Sequence, residues 1–139
     1  MIIDARDTIL GRLCSYAAKK SLLGEKIYIV NCEESVVTGK KMNILNNYLK
    51  KSKRKAPTKA PYFYKRPDFF VKRTIRGMLP FKRARGRDAF KNIKCFIGTP
   101  ENFKGEKIQS VENSGVDKLK SVGYLKIREI CKSVGWKPS

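Results

Sequence analysis

The sequence predicts an α/β fold built on a small, mainly parallel sheet, with a basic extended arm or loop attached. Three observations predict it. A short apolar opening, an amphipathic stretch and the continuous apolar, β-branched run at residues 27–32 (IYIVNC) follow in the order of a βαβ unit. A second apolar run, residues 94–98 (KCFIG), has the same buried-strand character. Between the two lie helical periodicities and a proline-punctuated segment with no periodicity.

The elements follow in order. Residues 1–3 read as a short strand, and Asp7 or Thr8 offers an N-cap for the first helix. Leu10, Leu13, Cys14, Ala17 and Ala18 recur at helical spacing up to Lys19, Lys20 and a stop at Gly24. Val36-Val37-Thr38-Gly39 is a short extended piece ending in a glycine turn, and Met42, Leu45, Tyr48 and Leu49 mark an amphipathic helix ending at Lys50-Lys51. Residues 51–67 hold three prolines and read as the arm. Pro67 suits the first turn of another helix, with Val71, Ile75, Met78 and Leu79 as its apolar stripe and Pro80 as its end. A short basic helix covers residues 86–91, and a turn at Thr99-Pro100 follows the second buried run. Residues 101–117 are polar and turn-rich. Ile127, Ile130, Cys131 and Val134 then mark a last helix closed by Gly135. The 139 residues, 41% of them apolar, suit one domain spanning 1–139 with a real core.

Charge is distributed unevenly. Residues 40–94 hold nineteen Lys and Arg against two acids, Asp68 and Asp88, so this window carries +17 of the formal +20. Residues 1–39 are neutral. A basic middle between balanced ends suggests a folded body presenting a polyanion-binding surface, with nucleic acid as the partner. There is no apolar signal region or membrane-length apolar run, so the expectation is a cytoplasmic protein with no membrane partner.

Three segments carry that expectation. In the arm, bases including Arg54, Lys55, Lys65 and Arg66 are interleaved with Tyr62, Phe63 and Tyr64. Cations neutralise phosphates, tyrosine rings stack on unpaired bases, and Phe63 is expected to pack inward between two surface tyrosines. In RTIRGMLPFKRARGR (73–87), Arg73 and Arg76 share a helix face, and Lys82, Arg83, Arg85 and Arg87 fill a glycine-punctuated turn. The arginine fork suits bidentate phosphate or guanine-edge contacts. Thr38-Gly39-Lys40-Lys41 lacks the upstream glycine and the following Ser or Thr of a nucleotide-binding P-loop, so Lys40 and Lys41 are assigned a single backbone phosphate at a helix start.

Catalysis and metal binding are disfavoured. Asp4, Asp7, Glu33 and Glu34 could gather near the C-terminal ends of two strands, where a metal-dependent nuclease would need carboxylates. Loop ion pairs explain these acids more simply, and the chain has no His. Its four cysteines (14, 32, 95 and 131) lie far apart within apolar patterns, as reduced core residues do. No cofactor, metal or small-molecule substrate is expected.

With these segments in hand, the chain resembles the universal ribosomal protein L-thirteen family of the large subunit, in its archaeal and eukaryotic branch. The resemblance rests on ILGRLCSYAAKKSLLGE (9–25), IVNCE (29–33), VVTGKK (36–41), RTIRGMLPFKRARGRDAFKNIKCFIGTPE (73–101) and SVGW (133–136). It implies a three-layer α/β/α fold with a four-stranded parallel sheet. It also implies a non-enzymatic role: binding large-subunit ribosomal RNA, supporting subunit assembly and touching neighbouring ribosomal proteins. Carried over by motif, the RNA-facing residues are Lys40, Arg73, Arg76, Lys82, Arg83, Arg85 and Arg87. The alternatives are a general nucleic-acid-binding or compacting protein, and a metal-dependent nuclease.

Overall fold

A computed structural model of the protein describes residues 1–54, 58, 62–120 and 123–138. The opening βαβ unit is there: β1 (Ile2–Asp4), α1 (Leu10–Leu22) and β2 (Ile27–Val30), with β1 and β2 parallel and Ile3 opposite Ile29. β3 (Val36–Thr38), α2 (Lys41–Lys53), α3 (Pro67–Met78), α4 (Ala84–Lys91) and β4 (Ile93–Cys95) follow. β5 (Ile108–Gln109), β6 (Tyr124–Lys126) and α5 (Ile127–Ser133) complete the described elements. One sheet has the order β4-β2-β1-β5 and is parallel throughout, as the α/β reading expects.

Strand alternation sorts the side chains. The paired registers put Ile3, Ile27, Ile29, Ile93 and Cys95 on one face. The four isoleucines join Leu13, Cys14 and Ala17 of α1, Val71 and Ile75 of α3 and Ala89 of α4 in a continuous buried core, with Cys95 packed against it. On the opposite face stand Ile2, Tyr28, Lys94 and Ile108, and there the Tyr28 ring lies 5.2 Å from Phe103 and 6.5 Å from Phe96.

Helix ends follow the local chemistry. Gly24 (φ +94°) ends α1 in a Schellman turn, with Gly24 N–H donating to Ser21 O and Glu25 N–H to Lys20 O. Gly135 (φ +108°) repeats the motif after α5, where Trp136 N–H donates to Cys131 O at 2.8 Å. Pro67 is the first residue of α3, where its missing N–H costs nothing.

Several expectations are corrected. α1 begins after Ile9 rather than on an Asp7 or Thr8 cap, because the Thr8 hydroxyl is drawn back to Arg6 O and Asp7 adopts φ +49°. Val36–Thr38 pairs antiparallel with β6 in a separate two-stranded sheet, outside the parallel one. The fourth parallel strand is β5, inside the segment read as turns. In α2 the buried residue is Ile44, while Met42, in the first turn, is exposed. In α3 Met78 is exposed, and the stripe is Phe70, Val71 and Ile75, continued by Leu79. The basic helix starts at Ala84, and α2 runs to Lys53, taking the first residues assigned to the arm.

Among the described residues all four cysteines are free; Cys14, Cys32 and Cys131 are buried and Cys95 half-buried. Burial raises the Cys14 thiol far above its ordinary range and pushes Cys131 up to about 12. Cys32 is raised by its hydrogen bond with Cys95 and then by burial. Thiols held this way are poor nucleophiles.

Candidate nucleic-acid interface

The interface is built on the outward face of α3. Phe69, Lys72, Arg73 and Arg76 recur at i, i+3, i+4 and i+7, so they line one side while Val71 and Ile75 are fully buried on the other. Their placement is fixed from below. Tyr48 of α2, Phe63 of the arm and Phe70 of α3 form an aromatic cluster, with centroids 5.2 to 6.3 Å apart. Phe63 thus packs inward, as expected, and anchors the end of the arm to α3. Its extended neighbours Tyr62 and Tyr64 are left 68% and 46% exposed.

Three adjoining hollows connect these groups. The first, about 520 Å³, is lined by Lys51, Arg54, Tyr62, Tyr64 and Arg73 above the Tyr48–Phe63–Phe70 floor. The second, about 320 Å³, shares Tyr64 and Arg73 with it and adds Phe69, Lys72, Arg76, Phe81 and Phe90. The third, about 430 Å³, shares Arg73, Arg76 and Phe81 and ends at Lys82 and Arg83. Among the described residues, seven cations therefore line this groove of adjoining hollows, and no carboxylate does.

Aromatic rings hold several of these cations. The Arg76 guanidinium lies 4.1 Å from the Phe81 centroid, Lys72 Nζ 4.9 Å from that of Phe90, and Lys51 Nζ 5.1 Å from that of Tyr48. Phe81 and Phe90 meet edge to face at 5.4 Å. The turn between α3 and α4 depends on Gly86. A Cβ there would fall far inside van der Waals contact with the carbonyl of Pro80, so only glycine lets α4 start against that turn. Arg83 N–H donates to Pro80 O at 2.9 Å and fixes the same corner.

Of the residues singled out in the sequence, Arg54, Tyr62, Tyr64, Arg73, Arg76, Lys82 and Arg83 line this groove. Arg85 lines a different hollow, with Leu22, Leu23 and Met78, and Arg87 is exposed on α4. Lys40 is exposed at the N-cap of α2, and Lys41 Nζ reaches Glu129 at 3.9 Å. Lys65 lies against Gly135, and Arg66 pairs with Asp68 at 3.0 Å and lines a cleft near the C-terminus. Lys55 lies outside the described residues. Lys51, Phe69, Lys72 and Phe81 line the groove as well without having been singled out, although the i, i+3, i+4, i+7 spacing of Phe69, Lys72, Arg73 and Arg76 is a sufficient signal for two of them.

The four acids considered for catalysis are held by cations or backbone. The Glu34 carboxylate accepts from Lys126 Nζ at 2.6 Å and pairs with Arg128 at 2.5 Å, and Asp7 pairs with Lys126 at 3.5 Å. Buried Glu33 accepts the Gly98 N–H on both oxygens. Asp4 accepts from Arg6 and Asn31. The hydrogen bond from Lys126 holds the Glu34 carboxyl below the ordinary glutamate range. Burial pushes Asp4 up, but hydrogen bonds from Arg6 and Asn31 outweigh it and leave its pKa lowered. Among the described residues no group of three His, Cys, Asp or Glu could hold a metal ion, and no helix is long and apolar enough to cross a membrane.

Fold and surface together define a class: a small α/β body with a dense cationic groove, free of carboxylates among its described lining residues. Comparison with known proteins makes the class particular. The family model described as Ribosomal protein L13 matches residues 1–102. Large ribosomal subunit protein uL13 of Methanosarcina barkeri is 43% identical over 137 residues, covering 98% of both chains. The uL13 of Methanocaldococcus jannaschii is 40% identical over 140 residues, again with 98% of both chains covered. That of Archaeoglobus fulgidus is 40% identical over 137 residues, covering 98% of this chain and 88% of its own. The chain belongs to the ribosomal protein L13 family, whose members are structural and non-enzymatic components of the ribosome.

Proposed function

We propose that the protein is a constituent of the large ribosomal subunit that binds large-subunit ribosomal RNA through the α3 groove and supports subunit assembly in the cytoplasm. The observation that carries this is the groove: seven cations and the exposed rings of Tyr62, Tyr64 and Phe69, with no carboxylate among the described lining residues. Phosphates meet Lys51, Arg54, Arg73, Lys82 and Arg83, while the tyrosines offer faces to unpaired bases. Arg76, held on the Phe81 ring, carries the planar N–H fork that suits bidentate contact with a phosphate. Lys40, Lys41, Arg85 and Arg87 extend the basic surface beyond the groove, and the family's large-subunit relatives favour a fitted RNA site over general compaction.

Filter binding to large-subunit ribosomal RNA tests this. With about six to ten phosphates neutralised, affinity falls by about three to five decades between about 50 and about 200 mM salt. A nearly flat salt dependence would rule the groove out as an RNA site.

A further inference from the structure

We propose that a second cleft, between the start of α3 and the segment after α5, docks an acidic segment of a neighbouring protein; this rests on the reading that the chain works inside the large subunit. The cleft has a volume of about 750 Å³. Its chemistry differs from that of the groove: both of its arginines are already paired with carboxylates, which leaves few cations in surplus around an apolar centre. Buried Glu33 lines it, Arg128 is paired with Glu33 and Glu34, and Arg66 is paired with Asp68. With so little cationic charge in surplus and an apolar centre at Trp136, Ile97 and Pro138, the cleft suits a peptide carrying one or two carboxylates and an apolar side chain better than a chain with a phosphate at every residue. The cations in surplus are Lys132 and Lys137, and among the described residues neither has a carboxylate within 4 Å.

Between these charges lies apolar surface. Trp136 is half-buried against the core, and the Schellman turn at Gly135 fixes its backbone; Ile97 is 37% exposed beside it. Indole and arginine around a concave centre are among the side chains that dominate protein–protein anchors. The lining carries four cations against one carboxylate, so the complementary segment is acidic and contributes an apolar side chain to Trp136 and Ile97. Arg66 sits over the Phe69 ring at 5.1 Å and forms the ridge between this cleft and the groove. Protein and RNA would therefore meet the molecule on either side of one residue.

The test uses the full chain assembled into large subunits, with a photoreactive p-benzoylphenylalanine replacing Ile97 in one preparation and Lys82 in another. After irradiation, the Ile97 position yields a peptide adduct to an acidic segment of another protein, and the Lys82 position yields a nucleotide adduct. The proposal is overturned if the Ile97 position gives only a nucleotide adduct, an adduct to a segment without acidic residues, or no adduct in photoactivated subunits. Failure of the Lys82 position to reach RNA sinks the groove reading instead. Introducing Lys132→Glu with Lys137→Glu, both exposed, lowers the Ile97 peptide adduct by about tenfold and spares the Lys82 adduct. An undiminished peptide adduct in that variant contradicts the charge argument.

Discussion

The guanidinium of Arg76 lies 4.1 Å from the centroid of the Phe81 ring, across the break that Pro80 puts between α3 and α4. Phe81 is in turn braced edge-on by Phe90 of α4. An arginine held on a ring loses less rotamer freedom when it binds, so its orientation is set before RNA arrives. Replacing Phe81 by leucine keeps apolar bulk and removes the ring. We expect RNA affinity to weaken by about three- to tenfold, matching a cation–π contribution of about 0.5–1.5 kcal/mol, and folding stability to fall by about 0.5–1.5 kcal/mol through loss of the edge contact with Phe90. Filter binding alongside urea denaturation separates the two effects.

Gly86 and Gly77 should respond to alanine in opposite ways. A Cβ at Gly86 meets the Pro80 backbone, which is not a flexible group, whereas a Cβ at Gly77 in α3 meets nothing within 4 Å. Gly86→Ala should destabilise by about 1–3 kcal/mol or more. Gly77→Ala should stabilise by up to about 1 kcal/mol through helix propensity. Urea midpoints at constant m-value read both.

The Glu34–Lys126 pair makes stability depend on pH at both extremes. The Glu34 carboxyl is lowered by its hydrogen bond from Lys126, and Asp4 is lowered by its hydrogen bonds despite burial. The stability these acids contribute is fully present above their ordinary values, 4.5 and 3.8, and is lost as pH falls through the lowered ones. Lys126 is raised by the hydrogen bond it donates to Glu34, so its contribution is full below 10.5 and is lost as pH rises through the higher folded value. A urea midpoint that is flat between about pH 6 and about pH 9 and falls on both sides is the expected profile. Glu34→Gln should cost about 1–3 kcal/mol at neutral pH and make the acid limb shallower.

Self-repulsion at a net charge of +20 weakens the isolated protein, most of all within residues 40–94. Added salt screens it, and a polyanion bound to the native state stabilises by mass action. Melting temperature should rise with moderate salt and rise further with ribosomal RNA at low salt. A melting curve indifferent to both would contradict the charge reading.

Much of the fold was legible because two periodicities alternate cleanly at the start of the chain. Leu10, Leu13, Cys14, Ala17 and Ala18 are all buried, as their spacing predicts, and Gly24, Pro67, Pro80 and Gly135 end or begin helices where they should. β5 was not legible. It is two residues long, both exposed, and joins β1 through its backbone, which leaves no apolar alternation to read. The antiparallel pairing of β3 with β6 joins residues more than eighty positions apart, and local pattern does not encode it.

The interface was legible in composition and only partly in geometry. Consecutive bases look equivalent in a sequence, yet Tyr64 turns to the groove while Lys65 lies against Gly135 and Arg66 is drawn to Asp68. Those separations depend on tertiary neighbours from α5 and its tail. The ring-held state of Arg76 likewise depends on a corner that Gly86 alone permits.

Incorporation of the Arg73→Glu, Arg76→Glu double variant into large ribosomal subunits, measured by gradient sedimentation and immunodetection, tests the groove most directly. Arg73 is exposed and Arg76 half-buried on the face away from Val71 and Ile75, so the variant should fold, which its circular dichroism and urea midpoint will verify. A folded variant that stays at the top of the gradient while the wild-type chain migrates with large subunits is the expected result. A folded variant that enters large subunits as well as the wild type would contradict the assignment of the α3 groove to ribosomal RNA.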